Sequence, residues 1–243
     1  MSKSANGIKY IFGTLLFLLA LLLAYETFRI VKAVIFPTPP MTMWGNLEMY
    51  QWTAVGALTY LVLRWLAKRN ARSRDITFLG RLVRLRVSWF YKNLQWFEVF
   101  THELTHAVVS LLMLRKLSNF QAGERSGVIH TSGGSISGIF VSLAPYCLPI
   151  YSYFLLMLRP IIATDGLWIY DILLGVTLAF HFVYFSHDTR NYQTDINQYP
   201  YFFSYSFIAT ALLFNINSIL VSFWSSKNIF TAWWYCLKEL LPM

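Results

Sequence analysis

The sequence predicts an all-α fold, a polytopic membrane helical bundle of about six transmembrane helices, with a short β-hairpin or re-entrant loop near its polar centre. Three observations lead there. Of 243 residues, 56% are hydrophobic, 18% aromatic and only 13% charged, where soluble domains carry roughly 25% charged residues. Four apolar runs, residues 10–36, 47–67, 137–158 and 200–224, reach the roughly 20 residues that a helix needs to cross a hydrocarbon core. Residues 167–187 and 94–114 complete the set, and the second of these interrupts its apolar pattern with "FTHELTHAVV". Together they describe an integral, multi-pass protein of a cell or inner membrane.

Taken in order, the first run begins behind only Lys3 and Lys9. It is longer than the apolar part of a signal peptide and lacks a small-residue cleavage site near its end, so it stays as a helix. Glu26 and Arg29, three residues apart within it, are expected to pair with each other. The "PTPP" at 37–40 ends the helix, since proline offers no amide donor and restricts the residue before it. The loop that follows has no Lys or Arg, whereas seven of the chain's twenty basic residues lie between 68 and 86 in "KRNARSRDITFLGRLVRLR". That asymmetry places the basic loop in the cytoplasm, beside anionic headgroups of the lipid bilayer, and the proline loop outside. No nucleic acid partner is expected despite the net charge of +9, because no binding motif accompanies the charge.

Residues 1–93 thus form an accessory transmembrane helix pair with a basic loop, residues 94–225 the core, and residues 226–243 a C-terminal tail. Arginines and aromatics at helical spacing in 81–97 suit a helix entering through the interface, with the true span starting near Leu94. Residues 115–136 read as a hairpin or a loop dipping back toward the membrane. Within it, 127–131 is a candidate strand able to hold an extended peptide by strand addition, or else a plain connector. Gly133 and Gly134 permit a tight turn, and His130 reads as a polar loop residue. Pro145 and Pro149 in "LAPYCLP" allow either a break that frees carbonyls or a packed kink. Cys147 and Cys236 lie far apart in apolar surroundings and read as two buried thiols.

The chemistry concentrates at 100–109. His102 and His106, four residues apart on a helix, share a face, so both imidazoles can reach one ion at about 2 Å. Glu103 falls beside that ion, where it can take a proton from a water whose pKa zinc lowers to about 7. Histidines that merely pack helices would leave the glutamate unexplained, and a carboxylate taken out of water needs a partner. A catalytic zinc normally keeps three protein ligands and one open position, which calls for a third donor. Residues 181–200, "HFVYFSHDTRNYQTDINQYP", offer His181, His187, Asp188 and Asp195.

"HELTHAVVSLLMLRKLSNFQAG", an HExxH motif in a membrane helix followed by a loop, two further spans and an aspartate before a final span, resembles the site-2 protease type of membrane-embedded zinc metallopeptidase. The resemblance covers residues 94–225. It implies hydrolysis of a peptide bond in a membrane protein or peptide substrate, in or beside the bilayer. Zn2+ would be the cofactor, His102, His106 and Asp195 its ligands, and Glu103 the catalytic base. Members of that family set the aspartate in Leu-Asp-Gly, whereas here Thr194 and Ile196 flank it, so Asp188 stays an alternative ligand. The two aspartates are seven residues apart and would share a face on a continuous helix, where one can support the other. Two other functions fit the same residues: a non-catalytic metal-binding membrane protein, and a transporter using an intramembrane His/carboxylate cluster. A transporter would more often show repeated halves, and no internal repeat is visible. The positive-inside rule puts 115–136 and Asp195 on the face opposite the cytoplasm, while the family resemblance implies a site nearer the cytoplasm; a re-entrant piece between 70 and 93 would reconcile them.

Overall fold

A computed structural model describes residues 3–35, 47–72, 78–123, 127–132, 135–189, 193–225 and 233–234. The elements run α1 (Lys3–Ile35), α2 (Leu47–Arg72), α3 (Phe78–Leu112), β1 (Lys116–Ala122), β2 (Gly127–Ser132), α4 (Ser135–Leu143), α5 (Ile150–Leu158), α6 (Leu167–Asp188), α7 (Thr194–Asn197) and α8 (Tyr201–Ser225). Helix dominates because a long apolar segment satisfies every backbone group within itself only in that form. The strands β1 and β2 form one antiparallel hairpin, the first of the two forms expected for residues 115–136, in an otherwise helical chain. The proline loop at 37–40, Gly133, Gly134, Cys236 and the basic side chains from Arg72 to Arg86 lie outside the described residues.

Three stretches are long and apolar enough to cross a membrane: Gly7–Val31, Thr164–Ser186 and Tyr201–Ser222. A fourth is split, Ile136–Tyr146 and Ile150–Ile161 meeting at 85°. The expected spans at 47–67 and 94–114 are helical, the second as far as Leu112, but fall short of that apolarity among the described residues. Their polar content explains the shortfall: α2 carries Arg64, and α3 carries Glu98, His102, Glu103 and His106. Six apolar spans therefore become three, or four with the bent pair. On α1, Ile8, Ile11, Leu15 and Phe28 are each more than half exposed, a surface suited to lipid rather than to water.

Polar side chains tie the helices together. Between α1 and α8, Thr210 Oγ1 donates to the Leu16 carbonyl (2.7 Å), Asn217 Nδ2 to that of Leu23 (3.2 Å), and Thr27 Oγ1 to Asn217 Oδ1 (2.7 Å). Helices α2 and α6 approach backbone to backbone, since a methyl group on Gly56 would overlap the Ile172 carbonyl and one on Gly175 that of Thr53. Such small-residue contacts are how membrane helices come close. An Arg64–Glu98 ion pair joins α2 to α3, with Tyr60 Oη accepting a second bond from Arg64 at 3.0 Å. Glu26 and Arg29 pair at 3.0 Å, as their spacing suggests.

The prolines of "LAPYCLP" produce a break rather than a packed kink. A tight turn at Ala144–Tyr146 ends α4, and Pro149 starts α5. Asn215 of α8 donates Nδ2 to the Cys147 carbonyl at 2.8 Å. Tyr153 Oη donates in turn to Asn215 Oδ1, which leaves the break satisfied inside the protein. The hairpin leaves α3 through Leu114, a left-handed residue with φ 53°, and docks back through Phe120, edge-on to Phe100 at 6.0 Å.

Candidate metal centre

Helix α3 supplies most of the site. At about 100° per residue, His106 lies about 40° around the axis from His102, and Glu103 about 100°. All three are buried, at 9%, 4% and 6% exposure for His102, His106 and Glu103. The third donor comes from α7, a single turn between α6 and α8. It is anchored by the wholly buried Ile196, whose carbonyl accepts from Ser204 Oγ at 3.0 Å. This turn brings Asp195 Oδ2 to 3.2 Å from His102 Nε2 and 3.4 Å from His106 Nε2.

Among the described residues, His102, His106 and Asp195 form the group able to hold a metal ion, their ligand atoms all within 4.8 Å of one another. The donor set fits a tetrahedral ion well. Ligands about 2.0–2.1 Å from a tetrahedral centre stand about 3.3 Å apart, and both measured nitrogen–oxygen separations lie close to that value. Two imidazoles and one carboxylate leave one tetrahedral position open, and such a set suits a divalent transition metal. Burial alone pushes the Asp195 carboxyl up, but the two imidazoles beside it outweigh that and, with no ion between them, hold the group below the usual carboxylate range. That direction favours the carboxylate, the form a ligand needs.

Each histidine is braced through its other nitrogen. His106 Nδ1 lies 2.7 Å from the Val141 carbonyl of α4, which can only accept, so Nδ1 carries the hydrogen and Nε2 is free to face an ion. His102 Nδ1 lies 2.5 Å from the hydroxyl of Tyr184 on α6. Tyr146 donates to Asp195 Oδ2 at 3.5 Å and stands edge-on to His102. Glu103 is packed under the first residue of β2: a methyl group on Gly127 would overlap its Cγ, Cδ and Oε1. No hydrogen bond to the Glu103 carboxylate is found among the described residues.

Of the other expected candidates, His130 sits on an exposed strand position and His181 is buried in α6 outside the group. The side chains of His187 and Asp188 lie outside the described residues. Sequence reasoning missed Tyr184, Tyr146, the Val141 carbonyl and Gly127. An aromatic residue in an apolar run carries no mark of such a role, and the contact between Gly127 and Glu103 depends on the hairpin folding back. No protein-family model, curated protein or solved structure matches the chain.

Proposed function

We propose that this chain is a membrane-embedded zinc metalloendopeptidase of the site-2 protease type, which hydrolyses a peptide bond of a membrane protein substrate in or beside the bilayer. One observation supports it above others: a three-donor group with Glu103 buried next to it and unclaimed by any hydrogen bond among the described residues. A site serving only to bind a metal has no use for a buried carboxylate beside the ligands that takes no hydrogen bond among the described residues, since burying such a group is costly unless it serves a purpose.

His102, His106 and Asp195 would hold the ion. When bound, zinc supplies a Lewis acid that polarises a carbonyl and makes water more acidic. Glu103 accepts a proton from the attacking water as its oxygen bonds to the scissile carbonyl carbon. The same carboxyl then returns that proton to the leaving amine as the carbon–nitrogen bond breaks. β2 has β1 as its one strand partner among the described residues, so its other edge offers main-chain donors and acceptors to an extended peptide, beginning at Gly127 against Glu103.

Substituting Glu103→Gln tests the mechanism. Glutamine keeps the shape and can hydrogen-bond but cannot accept the proton, and losing a general base costs about 100- to 10,000-fold in rate. Cleavage of a membrane-tethered peptide by the reconstituted variant is expected to fall by that factor, with metal content and unfolding temperature unchanged. Equal cleavage by the wild type and the variant removes the mechanism. A metal-loaded wild type that cleaves none of a broad panel of membrane peptides favours metal binding without turnover.

A further inference from the structure

The two histidines of the trio are held by partners of different kinds. A backbone carbonyl can only accept, so Val141 dictates the tautomer of His106. A hydroxyl can donate or accept, so His102 has no such dictation from atom type alone. Its partner compensates by rigidity. Tyr184 is 1% exposed and lies parallel to Phe180, with centroids 6.2 Å apart and ring planes at 8°. Phe180 is itself clamped between Tyr60 of α2, Phe97 of α3 and Tyr151 of α5. The hydroxyl thus reaches His102 Nδ1 within hydrogen-bond distance from a ring that cannot easily turn away.

We infer that Tyr184 is a positioning residue of the site: its hydroxyl holds the His102 ring so that Nε2, and not Nδ1, faces Asp195 and the ion. The inference rests on the metal centre proposed above. With an ion at Nε2, the ring hydrogen must sit on Nδ1, and the Tyr184 oxygen accepts it. Through this contact α6, locked to α2 at Gly56 and Gly175, takes part in fixing a ligand carried by α3. Partners of this kind set ligand orientation and basicity, and their loss typically weakens metal binding about 10- to 100-fold.

The test uses the full chain in lipid nanodiscs, stripped with a chelator and titrated with cobalt(II) against a competing chelator. Tyr184→Phe keeps the ring and its stacking, so a residue that merely packs would leave cobalt binding unchanged. The expected result is a Kd raised about 10- to 100-fold, with the unfolding temperature of the metal-free protein preserved. Cobalt-loaded wild type should show two slowly exchanging, paramagnetically shifted imidazole N–H resonances, one from each histidine. The variant should lose that of His102 and keep that of His106. A Kd within twofold of wild type with both resonances intact overturns the inference while leaving the metal centre standing. A wild type that takes up no cobalt overturns the metal centre and this inference with it. Should the variant fail to fold, nitrogen-15 spectra of zinc-loaded wild type decide: a hydrogen on His102 Nδ1 is expected, and zinc on that nitrogen contradicts the assignment.

Discussion

Gly127 leaves no room for a side chain against Glu103, and this is the residue-scale feature most open to a simple substitution. Gly127→Ala inserts a methyl group where the Glu103 side chain now sits. A displaced base about 1 Å out of line costs on the order of 100-fold. Cleavage is expected to fall by that order while metal content stays at the wild-type level; an unchanged rate would mean that Glu103 moves freely and that the glycine has no part in aiming it. The two histidines were legible from sequence because a four-residue spacing maps onto one helix face whatever the tertiary fold. Asp195 was legible only through the family resemblance, since nothing local separates it from Asp188, and it reaches the histidines because Ile196 and Ser204 pin the α7 turn. Tyr184 was not legible at all. Its contact with His102 depends on the approach of α6 to α3, and within "HFVYFSHD" it is one aromatic among several.

At the scale of elements, α2 and α3 depart most from a simple span, and the Arg64–Glu98 pair that joins them is part of the reason. Both side chains are largely buried, at 15% and 12% exposure. Removing one partner of such a pair leaves an uncompensated charge, at a cost of about 3–5 kcal/mol. Arg64→Met is expected to lower stability by that amount in thermal unfolding of the reconstituted protein, and the double substitution Arg64→Met, Glu98→Leu to recover most of it. If the double variant is no more stable than the single one, the pair is not what joins these helices. The α4–α5 break makes a second expectation. Asn215→Leu leaves the Cys147 carbonyl buried without its donor, for a loss of about 1–3 kcal/mol by the same measurement. Prolines at 145 and 149 announce an irregularity, but a kink and a break read alike in sequence. The difference lies in Asn215, 68 residues further along the chain.

For the whole molecule, His106 and His102 lie about 9 and 15 Å along α3 from its end at Leu112, at about 1.5 Å per residue. On the proposed reading, with α3 entering the bilayer, the substrate is one already resident in the membrane. Orientation rests on charge: in a cysteine-free background, Ser73→Cys is expected to react with a membrane-impermeant thiol reagent only from the cytoplasmic side, and Met41→Cys only from the other. The reverse pattern would invert the chain and bring the site to the cytoplasmic half. The central claim, that one buried trio on α3 and α7 is a metal centre, is tested most directly by elemental analysis of the purified chain. Wild type is expected to carry one zinc per chain, and His102→Ala and Asp195→Ala to lose it on dialysis against a mild chelator. A folded wild type without metal would contradict the claim, as would full occupancy in His102→Ala; full occupancy in Asp195→Ala with loss in Asp188→Ala would move the third ligand and refute the assignment of Asp195.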